Sequence, residues 1–139
     1  MEYRNVLLAG LAVAVALIGA AVSYTQLNRR LNVYWSRACA GRAWKRAYPA
    51  AGKREIRRFL RVFVDAFGFP QSRVLRFLPS DRVLSIYRSI YPSESMLDAL
   101  ELETFAGDLS NTYRVDLVSM WCENLTLGEI FSKTISPVA

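Results

Sequence analysis

The chain has 139 residues, with 18 Lys or Arg against 12 Asp or Glu and a net charge of +6. This length allows one small domain and one additional element, but not two cores of ordinary size. Because the sequence contains no histidine, it lacks the commonest general base and a usual zinc ligand. Neither carboxylates on a solvated helix face nor two distant cysteines make a catalytic or metal site. We therefore expect no enzyme activity, no metal, no cofactor and no small-molecule substrate.

The first element is an uncharged apolar stretch from Val6 to Tyr24. At 1.5 Å per residue, a helix over this stretch covers about 28 Å, which is enough to span a bilayer core. A secretory signal peptide is the competing interpretation. The stretch is followed by basic residues without any acidic one as far as Arg46, so the positive-inside rule predicts a single-pass protein with its C-terminal domain in the cytoplasm. The two cysteines are then expected to be free thiols.

Small side chains recur along this stretch at spacings of three and four: Ala9, Ala12, Ala16, Gly19 and Ser23. They form one face on which another membrane helix can pack closely. The general frequency of alanine in membrane helices explains the same pattern without a docking role. If the face matters, residues 1–28 dock on an integral membrane protein as well as anchoring the chain.

Residues 29–52 are basic and carry Tyr34, Trp35, Trp44 and Tyr48. Aromatic rings favour the membrane interface and arginines reach lipid phosphates, so we expect this segment to contact anionic lipid. The sequence leaves open whether residues 29–48 continue the membrane helix or lie along the surface. No nucleic-acid-binding motif accompanies the basic residues, so nucleic acid is not expected as a partner.

The soluble domain is predicted to be an all-α, small four-helix bundle over residues 53–133, followed by a tail over 134–139. Its first helix has apolar residues at helical spacing between Ile56 and Phe67, and it ends at Gly68. A long apolar connection follows and can include a short helix from Ser80 or Asp81. The second helix begins near Ser95, the third is a single turn over 119–123, and the fourth opens with a capping box of Thr126 and Glu129. The inward side chains expected for the second helix are Leu102, Phe105, Ala106, Leu109 and Tyr113, and its acidic side chains are expected to face water.

The order of these motifs resembles an acyl carrier protein. Phe67–Val74 is similar to the end of the carrier's first helix, Tyr113–Leu117 to the end of its second, where the family has Phe-Gly-Val-(acidic)-Ile, and Thr126–Glu129 to the start of its last. Asp98-Ala99-Leu100-Glu101 falls at the attachment tetrapeptide, where the family has Asp-Ser-Leu-(Asp/Glu) and the serine carries phosphopantetheine. This chain departs from the family in a longer loop over 80–97 and in Ala99, which has no oxygen to modify. An unrelated bundle with the same apolar spacing is the alternative.

The resemblance implies a carrier-like fold without cargo, as in bacterial carrier-like proteins with a similar replacement. In carriers the acidic second helix docks on basic patches of partners, which implies partner-binding roles here for Asp98, Leu100, Glu101, Glu103 and Asp108. A merely solubilising face, or one paired with arginines of the first helix, is the alternative. We expect a non-enzymatic accessory or scaffold subunit of a bacterial inner-membrane complex. A carrier modified on Ser93 or Ser95 and a regulator that senses anionic lipid are the competing functions.

Overall fold

The computed structural model describes residues 2–93 and 99–136, and this part of the chain is all-α, as predicted. The described helices are α1 (Glu2–Trp35), α2 (Gly41–Ala47), α3 (Lys53–Ala66), α4 (Val83–Ile90), α5 (Leu100–Tyr113), α6 (Leu117–Met120) and α7 (Leu127–Ile135), with a 3-10 helix (Gln71–Arg76) between α3 and α4. No strand occurs in the described residues, where the only β pairing is an isolated bridge between Arg82 and Thr126. The expected helix start at Ser95 lies outside them.

The four helices expected of the bundle correspond to α3, α5, α6 and α7. α3 buries the predicted apolar face and is followed by Gly68 at a φ of 70°, a left-handed conformation that favours glycine. The predicted box at the start of α7 is present, since Thr126 N donates to Glu129 Oε2 at 3.1 Å and Glu129 N to Thr126 Oγ1 at 3.2 Å. α6 begins two residues earlier than expected, because the Asp116 carboxylate caps it. The short helix expected in the connection is α4, which begins at Val83, two residues after Asp81, and the 3-10 helix and α2 add two further helices to the bundle.

α1 is long and apolar enough to cross a membrane. It has 34 residues, and its most apolar window has a mean hydropathy of 2.5 with no residue buried in the fold. The last turns of α1 differ from that window, because Leu31 and Tyr34 are buried and the Trp35 ring packs edge-on against Phe69. Residues 29–35 therefore continue the long helix and also enter the core of the bundle.

Trp44 corrects the expectation that the aromatic residues of 29–52 lie at a membrane surface. Its side chain is fully buried, its Nε1 donates to Phe77 O at 2.7 Å, and its ring lies edge-on to Phe131 at 5.5 Å. The Tyr48 hydroxyl donates to Gly128 O at 2.5 Å. The core needs these rings to fill the space between α3 and α7, and their burial with satisfied polar tips outweighs an interfacial position. The core thus extends across the boundary predicted at residue 53.

A nearly buried ion pair joins the end of α1 to the bundle. Arg37, two residues beyond α1, places Nη1 2.6 Å and Nη2 2.9 Å from the two carboxylate oxygens of Asp81, which is 8% exposed. The hydrogen bond to Asp81 raises the pKa of Arg37. Asp81 Oδ2 also accepts from Leu78 N at 2.7 Å, and Asp81 O accepts from Leu127 N at 3.0 Å. One residue therefore links α1, the loop before α4, and α7.

Replacement of Asp81 by alanine is expected to lower the free energy of unfolding by about 3 kcal/mol, because it leaves the Arg37 guanidinium without its counter-ion in a partly buried position. Urea unfolding of the full chain in detergent, followed by intrinsic tryptophan fluorescence, measures this change. Glu123→Ala is the control, since Glu123 is exposed, and it should change stability by about 0.5 kcal/mol or less. Equal effects of the two variants would contradict the linking role of Asp81.

Two glycines are expected to respond to alanine in opposite directions. A Cβ on Gly128 would lie 2.9 Å from both Pro79 O and the Tyr48 hydroxyl, whereas a Cβ on Gly107, within α5, meets nothing within 4 Å. Gly128→Ala should therefore destabilise the fold by about 1–3 kcal/mol through overpacking. Gly107→Ala should stabilise it by about 1 kcal/mol through helix propensity. The same urea titration measures both, and a neutral Gly128→Ala variant would contradict the close approach.

Candidate functional site

Ala99 lies at the N-cap of α5, the helix position where carriers hold their modified serine. It is half-buried and has a φ of 57°, which is uncommon for a residue other than glycine. Its backbone N donates to the Tyr87 hydroxyl at 2.9 Å, and its carbonyl accepts from Glu103 N at 2.9 Å. The backbone of Ala99 is thus fixed from both sides, while its methyl group offers no nucleophile.

The helix directions show which end of the bundle carries Ala99. α4 runs antiparallel to α1, because Asp81, just before α4, pairs with Arg37, whereas Ile90 O, at the end of α4, accepts from Arg30 at 3.5 Å. α5 begins beside the last turns of α4, since Ala99 bonds to Tyr87. Ala99 therefore lies at the end of the bundle nearer to the apolar segment of α1, which we call the near end.

The opposite end, which we call the far end, holds the first turns of α3. The Phe67 ring, after the last turn of α3, lies 6.5 Å from the Tyr87 ring at the near end, whereas the Arg58 guanidinium lies 5.8 Å from the Tyr113 ring at the end of α5. α3 thus runs antiparallel to α5. Desolvation raises the pKa of the Tyr113 phenol, which is consistent with its packing between these helices.

The residues predicted to bind a partner differ in their exposure to solvent. Leu100 is 59% exposed, Glu103 is exposed and Asp108 is half-buried, whereas Asp98 lies outside the described residues. Glu101 corrects the expectation that it faces water, because it is half-buried and its Oε1 accepts a hydrogen bond from the Tyr91 hydroxyl. The cause is the packing of the first turn of α5 against the end of α4. Of the inward residues predicted for α5, Phe105 and Leu109 are buried, and the other three are half-buried: Leu102, Ala106 and Tyr113.

An apolar groove, which the sequence did not predict, adjoins Glu103. It has a volume of about 300 Å³ and lies between α5 and α6, where Val118 is 78% and Trp121 37% exposed. Its walls also include Leu102, Ala106 and Leu117. Exposed apolar side chains rimmed by a carboxylate are typical of a protein-binding surface. The sequence signal was the pair Val118 and Trp121 just after a predicted break, but their exposure depends on how α6 packs.

The small residues predicted for helix packing all lie on the exposed part of α1: Ala9, Ala12, Ala16, Gly19 and Ser23. None of them contacts the bundle core. The structure therefore brings these residues together on one helix but does not join them to the near end of the bundle.

The arginines of α3 remain exposed and do not pair with the acidic helix in the described residues. Arg54, Arg57, Arg58 and Arg61 all face solvent, and the one ion pair found there joins Arg37 to Asp81. The alternative of an acidic face neutralised within the chain is therefore not supported by the described contacts. Both charged surfaces face outward and are accessible to other molecules.

Groups for catalysis do not cluster in the described residues. No set of three His, Cys, Asp or Glu side chains is close enough to hold a metal ion among them, and Cys39 and Cys122 are exposed free thiols. Ser93, one of the alternative modification sites, is exposed, whereas Ser95 lies outside the described residues. Comparison of the chain with protein-family models, with curated proteins and with solved structures gives no match.

Proposed function

We propose that this protein is a non-enzymatic accessory or scaffold subunit of a bacterial inner-membrane protein complex. The observation that carries this proposal is the attachment of the long apolar helix to the bundle. The apolar segment of α1 has no residue buried in the fold. The last turns of α1 nevertheless enter the core, and the ion pair between Arg37 and Asp81 fixes their position. An exposed helix held rigidly on a folded domain suits a subunit that positions one partner relative to another.

Two backbone positions support a carrier-like bundle. Ala99 lies at the start of α5, as the family's serine does in its second helix. Arg114 lies where the family pattern has glycine. Arg114 has a φ of 56° and closes α5, with Arg114 N donating to Ser110 O and Val115 N to Leu109 O. This left-handed conformation favours glycine, so the local geometry agrees with the family pattern even though the residue differs.

The docking surface that we propose for a protein partner combines Leu100 and Glu103 with the apolar groove beside Val118 and Trp121. It lies on α5 and α6, starting at the near end of the bundle, so the domains of a membrane partner that reach it are close to the bilayer. Basic side chains on that partner would complement Glu103. Anionic lipid is proposed to contact Arg29, which is exposed and lies only five residues after Tyr24.

The small-residue face of α1 is expected to determine recovery of the membrane partner. Ala12→Leu with Ala16→Leu places two bulky side chains on that face and should reduce the amount of copurified partner about tenfold, because close helix packing is lost. The measurement is a pull-down from detergent-solubilised membranes at native expression, quantified by mass spectrometry.

The matched control is Ala14→Leu with Ala21→Leu, which adds the same volume on the opposite side of the helix at 3.6 residues per turn. This control should leave copurification unchanged, and both variants should stay in the membrane fraction. Recovery of the wild-type chain as a monomer alone, or equal losses with both variants, would contradict docking through the small-residue face.

The resemblance to carriers is tested by restoring the missing hydroxyl. After coexpression with a phosphopantetheinyl transferase, the wild-type chain should keep its unmodified mass, whereas Ala99→Ser should gain one phosphopantetheine, since it places an oxygen at the start of α5. Intact-protein mass spectrometry measures both. A modified wild-type chain, which peptide mapping would assign to Ser93 or Ser95, would support the tethered-carrier alternative. An unmodified Ala99→Ser variant would count against the carrier-like recognition surface.

A further inference from the structure

We infer that a basic groove between α2 and α3 binds an acidic peptide segment of a cytoplasmic partner protein. The groove has a volume of about 320 Å³, and four cationic side chains line it: Arg42, Lys45, Lys53 and Arg57. No acidic residue is among its lining residues. This surface is separate from the acidic surface of α5 proposed above.

None of the four cations forms an ion pair among the described residues. The Lys45 ammonium donates to Pro49 O at 3.0 Å and Ala51 O at 2.6 Å, which holds it at the groove wall. Arg42, Lys53 and Arg57 are exposed and form no ion pair among the described residues. Guanidinium groups in such a position donate two parallel hydrogen bonds to a carboxylate, which orients an acidic ligand as well as attracting it.

The floor of the groove is apolar and defines the ligand further. Ile56 is buried and Leu75 is half-buried beneath the cationic rim. A ligand that fills the groove therefore presents an apolar side chain to the floor and carboxylates to the rim. A peptide with glutamates or aspartates around a leucine or similar residue has this chemistry, whereas a free inorganic anion does not use the floor.

The position of the groove favours a cytoplasmic protein over lipid. Lys53 and Arg57 lie in the first turns of α3, at the far end of the bundle, and α5 spans about 21 Å between the two ends. Lipid at the apolar segment of α1 is near the opposite end. A second copy anchored in the same membrane would present Glu101 and Glu103, in the first turn of its own α5, at the near end, at a height that does not match the groove. These two exclusions rest on the proposed anchoring through α1, whereas the acidic ligand itself follows from the groove alone.

The binding test uses the full chain in an uncharged detergent and a fluorescein-labelled peptide of glutamates around a central leucine. Fluorescence anisotropy should show saturable binding, and a peptide with glutamine for glutamate should not bind. Arg42→Gln with Arg57→Gln should weaken the affinity at least about tenfold, because two charge contacts are lost. Arg54→Gln with Arg61→Gln removes the same charge from the outward face of α3 and should weaken it less than about threefold. Equal losses with the two variants would overturn the site, since they would indicate binding to net charge.

The two cysteines give a footprint within one molecule. Cys39 lines the groove, whereas Cys122 is exposed elsewhere, beside Trp121. Saturating peptide should slow maleimide labelling of Cys39 and leave the labelling of Cys122 unchanged. Protection of both thiols, or of neither, would overturn the location.

Nanodiscs separate the acidic-peptide interpretation from the lipid one. Peptide affinity should be the same in discs of phosphatidylcholine and in discs that also contain phosphatidylglycerol. If phosphatidylglycerol abolishes peptide binding, the groove faces lipid and the inference fails. This outcome is distinct from failure of the proposed function, which concerns copurification through α1.

Discussion

The fold depends on the contact between Arg37 and Asp81 at the point where the long helix ends. Asp81 receives the Arg37 guanidinium and Leu78 N on its carboxylate, and Leu127 N on its carbonyl oxygen. A buried carboxylate without its cation is unfavourable, so these contacts fix the positions of α1, α4 and α7 relative to one another. The buried Trp44 ring packs against Phe59 and Phe131, and its Nε1 donates to Phe77 O. The direction of the apolar helix is therefore set by the same interactions that close the bundle, and no flexible linker separates them.

The sequence predicted the elements whose signals are local. α3 has an apolar stripe and a C-terminal glycine, and α7 has a capping box, so each could be identified within its own few turns. The sequence did not predict the burial of Trp44 or Glu101, because their surroundings are set by residues distant in the chain. Trp44 contacts Phe77 and Phe131, and Glu101 packs against α4. The sequence also carries a signal that the end of α1 packs against a soluble core. Leu27, Leu31 and Tyr34 continue at helical spacing between polar residues, which is the pattern of a helix packed on a soluble core and not of an interfacial segment.

The candidate site shows a similar division between backbone and side chain. The resemblance to carriers implied a helix start at Ala99, whereas the capping pattern predicted a start near Ser95; α5 begins at Leu100, with Ala99 at its N-cap. The left-handed backbone of Ala99 could not be predicted, because it depends on a hydrogen bond from the Ala99 N–H to the hydroxyl of Tyr87 in another helix. Such a conformation is unfavourable for alanine and persists only where neighbouring contacts determine it. The chain thus keeps a defined backbone at a position whose methyl side chain is chemically inert.

The separation of charge along the chain becomes a separation in space. Residues 29–88 carry fifteen Lys or Arg against three acidic residues, and residues 89–139 carry eight acidic residues against two basic ones. In the fold, the arginines of α3 and the acidic residues of α5 both stay exposed and are not joined by ion pairs in the described residues. Ion pairs between the arginines of α3 and the acidic residues of α5 would add little stability, but they would cancel the electrostatic potential of both surfaces. Keeping them apart preserves a basic surface on α3 and an acidic surface on α5, and each surface can attract a partner of opposite charge. This arrangement suits a scaffold that joins a membrane protein to a cytoplasmic one.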